Sequence, residues 1–91
     1  MSSDFKVGQL CYSKNGRDRG VTFIVIKVED DYVYLVNGER RTLDRPKRKK
    51  IKHVQIINSI SSCVLEHMGN KDLLDSHIRK AIKEHTNKVG V

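Results

Sequence analysis

The chain has no tryptophan, one proline, two cysteines and only five aromatic residues in 91 positions. Each scarcity excludes something. Cys11 and Cys63 are too few and too far apart for a disulfide framework, and both fall in apolar-patterned segments, so they read as buried, reduced thiols. The aromatics Phe5, Tyr12, Phe23, Tyr32 and Tyr34 fall mostly in strand-like segments. That pattern leaves Tyr12 and one of Tyr32 and Tyr34 for the surface. It argues against a groove for proline-rich peptides, which is aromatic-lined. It also argues against a binder that stacks single-stranded bases on exposed rings. No linker-like stretch and no internal repeat interrupts the chain, so one domain is expected. No segment approaches 18 consecutive apolar residues, and the N-terminal "MSSDFKVGQL" has no apolar signal-peptide core. The expectation is a cytoplasmic protein with no membrane partner.

Catalytic signatures are also missing. There is no Gly-x-Ser-x-Gly, no His-Glu-x-x-His, no Walker A motif and no pair of acids in an apolar setting. The chain reads as a non-enzyme with no cofactor and no small-molecule substrate. Cys63 and His67 lie four apart, with His77 and His85 further on. Without paired Cys-x-x-Cys or His-x₃-His spacing they make no zinc signature, and no metal is expected.

What the chain does have is positive charge. Lys and Arg number 18 against 11 Asp and Glu, for a net charge of +7. Its composition is 37% hydrophobic, enough for a compact fold near the lower size limit of a self-sufficient core. A small domain this basic points to an anionic partner. The charge is unevenly placed: residues 1–58 hold 13 basic side chains against 7 acidic, and residues 59–91 hold 5 against 4. The densest run contains Arg40, Arg41, Arg45, Lys47, Arg48, Lys49, Lys50 and Lys52, with only Asp44 opposing. So many like charges repel one another with no folding benefit. A phosphate backbone relieves that repulsion and releases condensed counterions. Pro46 keeps the run out of a helix.

The pattern changes character once, near Asn58. Before it the signals are strands. "VGQLCYS" alternates. "VTFIVIKVE" is apolar on both faces, with Ile24, Ile26 and Val28 on one and Val21, Phe23 and Val25 on the other, and so needs cover on both. Asp30-Asp31 makes a tight turn into "YVYLV". Asn37-Gly38 then reads as a type I′ hairpin turn into a fourth strand, "ERRTL". "IKHVQII", residues 51–57, is the fifth, which leaves the basic run between two strands. Five short strands with tight turns imply a small antiparallel barrel. After Asn58 the period becomes helical. Ile60, Val64 and Met68 form one stripe, and Leu74, Ile78, Ala81 and Ile82 a second, with Asp72 or Asp75 as its cap. Neither helix is long enough to stand alone in water. The surplus apolar face of the second strand is the surface offered to them.

The first loop carries its own signal. In "SKNGRDRGVTF" the cations Lys14, Arg17 and Arg19 surround Gly16 and Gly20. Glycines there allow a tight reversal and close backbone approach to a ligand. Free backbone N–H groups beside the cations would seat a phosphate, with Asp18 directing a neighbouring arginine. Residues 9–38, "QLCYSKNGRDRGVTFIVIKVEDDYVYLVNG", resemble the KOW motif, a strand, a basic glycine-containing loop and a second strand. That motif is found in several ribosomal proteins and in NusG-type transcription factors. Gly20 falls at the motif's signature glycine. "DRPKRKKIKHVQ" and "HIRKAIKEH" resemble bacterial relatives of the large-subunit ribosomal protein family of the L-fourteen-e type. One departure is Val21 to Phe23, where many KOW motifs carry a further glycine.

The resemblance implies an SH3-like β-barrel over residues 1–58 followed by a helical extension over 59–91 packed on it. It implies binding of structured RNA, ribosomal RNA or the large ribosomal subunit in particular. The contacts it implies in the loop are Lys14, Asn15, Gly16, Arg17, Arg19 and Gly20, and the basic run 40–52 adds the rest. The alternative is a transcription-associated adaptor that holds nucleic acid non-specifically while docking a protein.

Overall fold

The computed structural model describes residues 5–89. The outermost parts of the expected division, residues 1–4 and 90–91, lie outside the described residues. The elements in chain order are strands β1 (Gln9–Ser13), β2 (Thr22–Glu29), β3 (Tyr32–Val36) and β4 (Lys47–Lys50), a 3-10 turn (Ile51–His53), strand β5 (Val54–Ile60), and helices α1 (Ser62–Gly69) and α2 (Asp75–Val89). The five strands form one antiparallel sheet in the order β4-β3-β2-β1-β5. Strands β1 to β4 form a meander, and β5 returns to pair with β1. The end strands β4 and β5 are joined by the turn Ile51–His53. None of the described helices is long and apolar enough to cross a membrane.

Strand β2 is buried on both faces, as its β-branched sequence requires. Its inner face, with Phe23 and Val25, packs with Phe5, Cys11, Val33, Leu35 and Val54. Its outer face, with Ile24, joins Leu10, Val36, Val64 and Ile78, and here the helices supply the cover. Strict alternation would put Val28 on the outer face, but it packs against the inner core. The cause is a bulge: the β2–β3 register slips between Val25 and Lys27. One extra residue there exchanges the faces of all that follow. A second slip, between Gln9 and Cys11, interrupts the β1–β5 pairing. Gln9 is buried there, and its Nε2 donates to Ile57 O at 2.6 Å and Ser59 O at 3.2 Å. The side chain thus satisfies carbonyls that the slipped ladder leaves unpaired.

The β2–β3 hairpin turns at Asp30-Asp31, with Asp30 in the left-handed region at φ 51. The fourth strand is not "ERRTL". It is Lys47–Lys50, inside the basic run itself, and Pro46 stands just before it, where a missing N–H costs no ladder bond. Nor is Asn37-Gly38 a type I′ turn, since only Gly38 of the two has positive φ, at 78. Instead Asn37 Oδ1 accepts from the N–H groups of Glu39 and Arg41, which closes a longer loop over residues 37–46. That loop docks on α2. Leu43 joins the outer core, the Leu43 N–H donates to Asp75 Oδ1 at 2.8 Å, and Arg79 Nη1 donates to Gly38 O at 2.6 Å. A Cβ on Gly38 would lie 2.7 Å from Asp75 O, so glycine is required by close approach as well as by φ. The fifth strand starts three residues later than "IKHVQII" and runs to Ile60, because residues 51–53 form the 3-10 turn.

The helical stripes are shifted as well. Ile60 ends β5, and both it and Leu74 are exposed, while Val64, Met68, Leu73, Ile78, Ala81 and Ile82 form the packed set. Ser61 caps α1, its side chain accepting from the Val64 N–H. The Ser61 N–H donates to Gly8 O at 3.0 Å and ties the helix start to the sheet. Neither aspartate proposed as the α2 cap is turned that way: Asp72 pairs with His67, and Asp75 accepts from Leu43.

Candidate nucleic-acid interface

The β1–β2 loop, Lys14 to Val21, is held by its own turns. The Arg19 N–H donates to Gly16 O at 3.2 Å, Gly20 to Ser13 O at 2.9 Å and Val21 to Asp18 O at 2.9 Å. Gly16 and Gly20 supply the left-handed conformations at φ 80 and 82. The amides expected to stay free for a phosphate are therefore engaged at Arg19, Gly20 and Val21. What the loop offers outward is side chains: Lys14, Asn15, Arg17 and Arg19 are all exposed.

Three tethers join this loop to the second half of the basic run. The Lys14 N–H donates to His53 O at 2.9 Å, and Lys49 Nζ donates to Asn15 O at 3.0 Å. Asn15 Nδ2 lies 2.5 Å from His53 Nδ1. A fourth contact is ionic. Asp18 pairs with Lys47 at 3.4 Å, rather than with a neighbouring arginine of its own loop. The β-ladder explains why these lysines reach inward. Lys47 pairs with Leu35 and Lys49 with Val33, and both apolar partners face the inner core. Lys47 and Lys49 therefore point to the same face, half-buried, and extend their ammonium groups past the core edge to the loop. An edge strand of the sheet thus touches the loop between β1 and β2, which shows how strongly the sheet curls.

Arg48 and Lys50 point the other way, onto the outer face beside Tyr34 and Tyr32. The Arg48 guanidinium lies 3.7 Å from the centroid of the Tyr32 ring. Lys27 Nζ lies 5.3 Å from the Tyr34 ring centroid and 3.4 Å from Glu29 Oε2, and the Tyr34 hydroxyl donates to Glu29 Oε1 at 3.2 Å. The Lys27 ammonium, followed by the Tyr34 hydroxyl, holds the Glu29 carboxyl below its ordinary value. Both Tyr32 and Tyr34 are on this open face, and Tyr12 is exposed elsewhere. Only Phe5 and Phe23 of the five aromatics sit in the core, fewer than the strand pattern suggested.

The sequence-marked cations therefore divide among three surfaces. Lys14, Arg17, Arg19, Lys47, Lys49 and Lys52 gather at the loop and the 3-10 turn. Arg48 and Lys50 lie on the outer sheet face. Arg40, Arg41 and Arg45 ride on the 37–46 loop, whose backbone is held by Asp75 and Arg79 of α2. The structure adds cations that the charge count passed over. An open groove of about 720 Å³ begins at Val21 and Thr22, directly after Gly20, and its far wall carries Arg79, Lys80 and Lys83 of α2. These were hidden because residues 59–91 are close to neutral as a segment. Their spacing on a helix, i to i+4 and i to i+3, is the signal that would have found them.

His67 stacks on His77, ring centroids 3.8 Å apart, and pairs with Asp72 at 2.8 Å. Among the described residues, no three His, Cys, Asp or Glu side chains come together as a metal site requires. Compared with models of known protein families and with curated proteins, the sequence finds no match.

Proposed function

We propose that this chain is a non-enzymatic, cytoplasmic RNA-binding protein of the KOW kind, acting on structured ribosomal RNA of the large subunit. One observation carries the reading. The β1–β2 loop and the segment 47–53, more than 30 residues apart in sequence, converge through Lys49 to Asn15 and Lys14 to His53. The result is a joint cationic surface of Lys14, Arg17, Arg19, Lys49 and Lys52. A structural role accounts for part of the charge. Inward-pointing lysines on an edge strand discourage pairing with another sheet, and Lys47 and Lys49 fit that description. It does not account for Lys14, Arg17, Arg19 and Lys52, which stand off the edge and would repel one another without an anionic partner. Phosphate contacts of this kind position an RNA without reading its bases, as suits recognition of a folded RNA by shape.

Salt dependence tests the electrostatics. With about five phosphate contacts, log K against log salt falls with a slope of roughly −3.5 to −4.5. A flat response would refute the proposal. Sedimentation of a cell lysate at low and high salt tests the partner. The expected result is co-migration with the large ribosomal subunit, released by salt. Recovery with RNA polymerase instead would favour a transcription-associated adaptor.

A further inference from the structure

We infer that the open half of the outer sheet face is a stacking platform for unpaired bases. The inference rests on the RNA-binding reading above and adds a chemically different subsite to it. Helices α1 and α2 cover the outer face only around Leu10, Ile24 and Val36. Beyond the bulge at Ile26 the face is open, and register sets its side chains in two cross-strand rows. One row is Lys27, Tyr34 and Arg48; the other is Glu29, Tyr32 and Lys50. The rings form a central column with cations along one flank and at one corner of the other. Alternate residues of a strand are about 7 Å apart, too far for the two rings to stack on each other. Each is left to a separate partner.

Tyr32 already has one. The Arg48 guanidinium, 3.7 Å from its ring centroid, is a planar group on an exposed residue. Bases stack on both aromatic rings and guanidinium planes, without demanding a particular sequence. The one acid on the face, Glu29, is countered by Lys27 at 3.4 Å and by the Tyr34 hydroxyl at 3.2 Å, so it does not repel a phosphate strongly. Cations on both flanks favour a phosphodiester chain over a neutral peptide. Paired bases cannot reach such a platform, because an A-form helix keeps them stacked. The ligand class is therefore an unpaired stretch, such as a loop or bulge, flanking the element held by the β1–β2 loop.

The test compares two labelled RNAs by fluorescence anisotropy, a uridine-rich single strand and a blunt, fully paired duplex. The variant Tyr32→Thr/Tyr34→Thr removes both rings and keeps strand-forming residues. Its affinity for the single strand should fall by about fivefold to a hundredfold per base lost. Its affinity for the duplex should stay within twofold, which also shows that the variant is folded. Tyr32→Phe, which keeps the ring and leaves the Tyr34 bond to Glu29 in place, should bind both RNAs as the wild type does. Arg48→Lys should weaken single-strand binding with an unchanged salt slope, because charge is kept and the plane lost. Lys14→Ala/Arg17→Ala/Arg19→Ala should weaken both RNAs and flatten both slopes. Single-strand affinity within twofold of wild type in the double Thr variant overturns the platform and leaves RNA binding standing. So does tighter binding of a proline-rich peptide than of the single strand, lost in that variant. A wild type that binds neither RNA overturns both.

Discussion

Gly20 and Gly38 have almost the same backbone conformation, φ 82 and 78, in opposite surroundings. An added Cβ at Gly20 meets nothing within 4 Å, whereas at Gly38 it meets Arg79 Cγ at 2.6 Å, Asp75 O at 2.7 Å and Arg79 N at 3.2 Å. Alanine at either position bears the left-handed strain of roughly 1–2 kcal/mol. About 0.4–1 kcal/mol of this is offset by the smaller entropy of the unfolded chain. Gly20→Ala should therefore cost about 1 kcal/mol. Gly38→Ala adds overpacking of about 1–3 kcal/mol. The Arg79 side chain can turn away only by giving up its bond to Gly38 O, and Asp75 O belongs to the first turn of α2 and cannot move alone. The expected total is about 2–4 kcal/mol. With a urea slope of about 1–1.5 kcal/mol/M for so small a chain, the midpoint falls by roughly 1.3–4 M for Gly38→Ala and by about 1 M or less for Gly20→Ala. Urea titration followed by circular dichroism measures both. RNA affinity is then read on the folded variants, where Gly20→Ala should bind more weakly than its small stability loss explains. Equal midpoints for the two variants would refute the docking of the 37–46 loop on α2.

Asp18→Asn should free Lys47 from its 3.4 Å pair and raise RNA affinity several-fold, with a salt slope steeper by up to one contact. The pair is partly exposed, so stability should change by less than about 1 kcal/mol; weaker RNA binding would show that Asp18 aims Lys47 usefully. Gln9→Leu should lower stability by about 1 kcal/mol in thermal melts, because the partly buried Ile57 O and Ser59 O lose their donor. Cys11 is fully buried, and desolvation pushes its thiol from 9.0 up to about 12. A thiol reagent at pH 8 should modify the half-buried Cys63 in the native protein and Cys11 only through unfolding. Because the fold favours the neutral thiol, its contribution is full below pH 9 and declines as pH rises toward 12. Cys11→Ala should remove that alkaline component.

Sequence by itself determined the parts that local pattern can carry. The β-branched run 21–29 had to be a strand with cover on both faces, and Phe23, Ile24 and Val25 at its centre are buried between the two clusters. A change from strand to helix followed from periods of 2 and 3.6, though it falls after Ile60 rather than Asn58, and of the two helical stripes Val64, Met68, Ile78, Ala81 and Ile82 pack while Ile60 and Leu74 do not. The two glycines of the first loop marked a tight reversal, and both adopt positive φ there. Tertiary structure decided what depends on partners distant in the chain. Lys47–Lys50 has little intrinsic strand propensity, yet it forms β4 because Val33 and Leu35 need an edge partner and Tyr32 and Tyr34 offer Arg48 and Lys50 a surface. Asn37-Gly38 carries the strongest local hairpin signal, and α2 overrides it by taking Gly38 O and Leu43 as its own contacts. The candidate site follows the same division. Its cations were legible one by one, but their sorting onto the loop, the outer face and the α2 groove was not. A side chain's face is set by register and by bulges, and these are chosen by burial summed over the whole sheet rather than by any residue's neighbours in sequence.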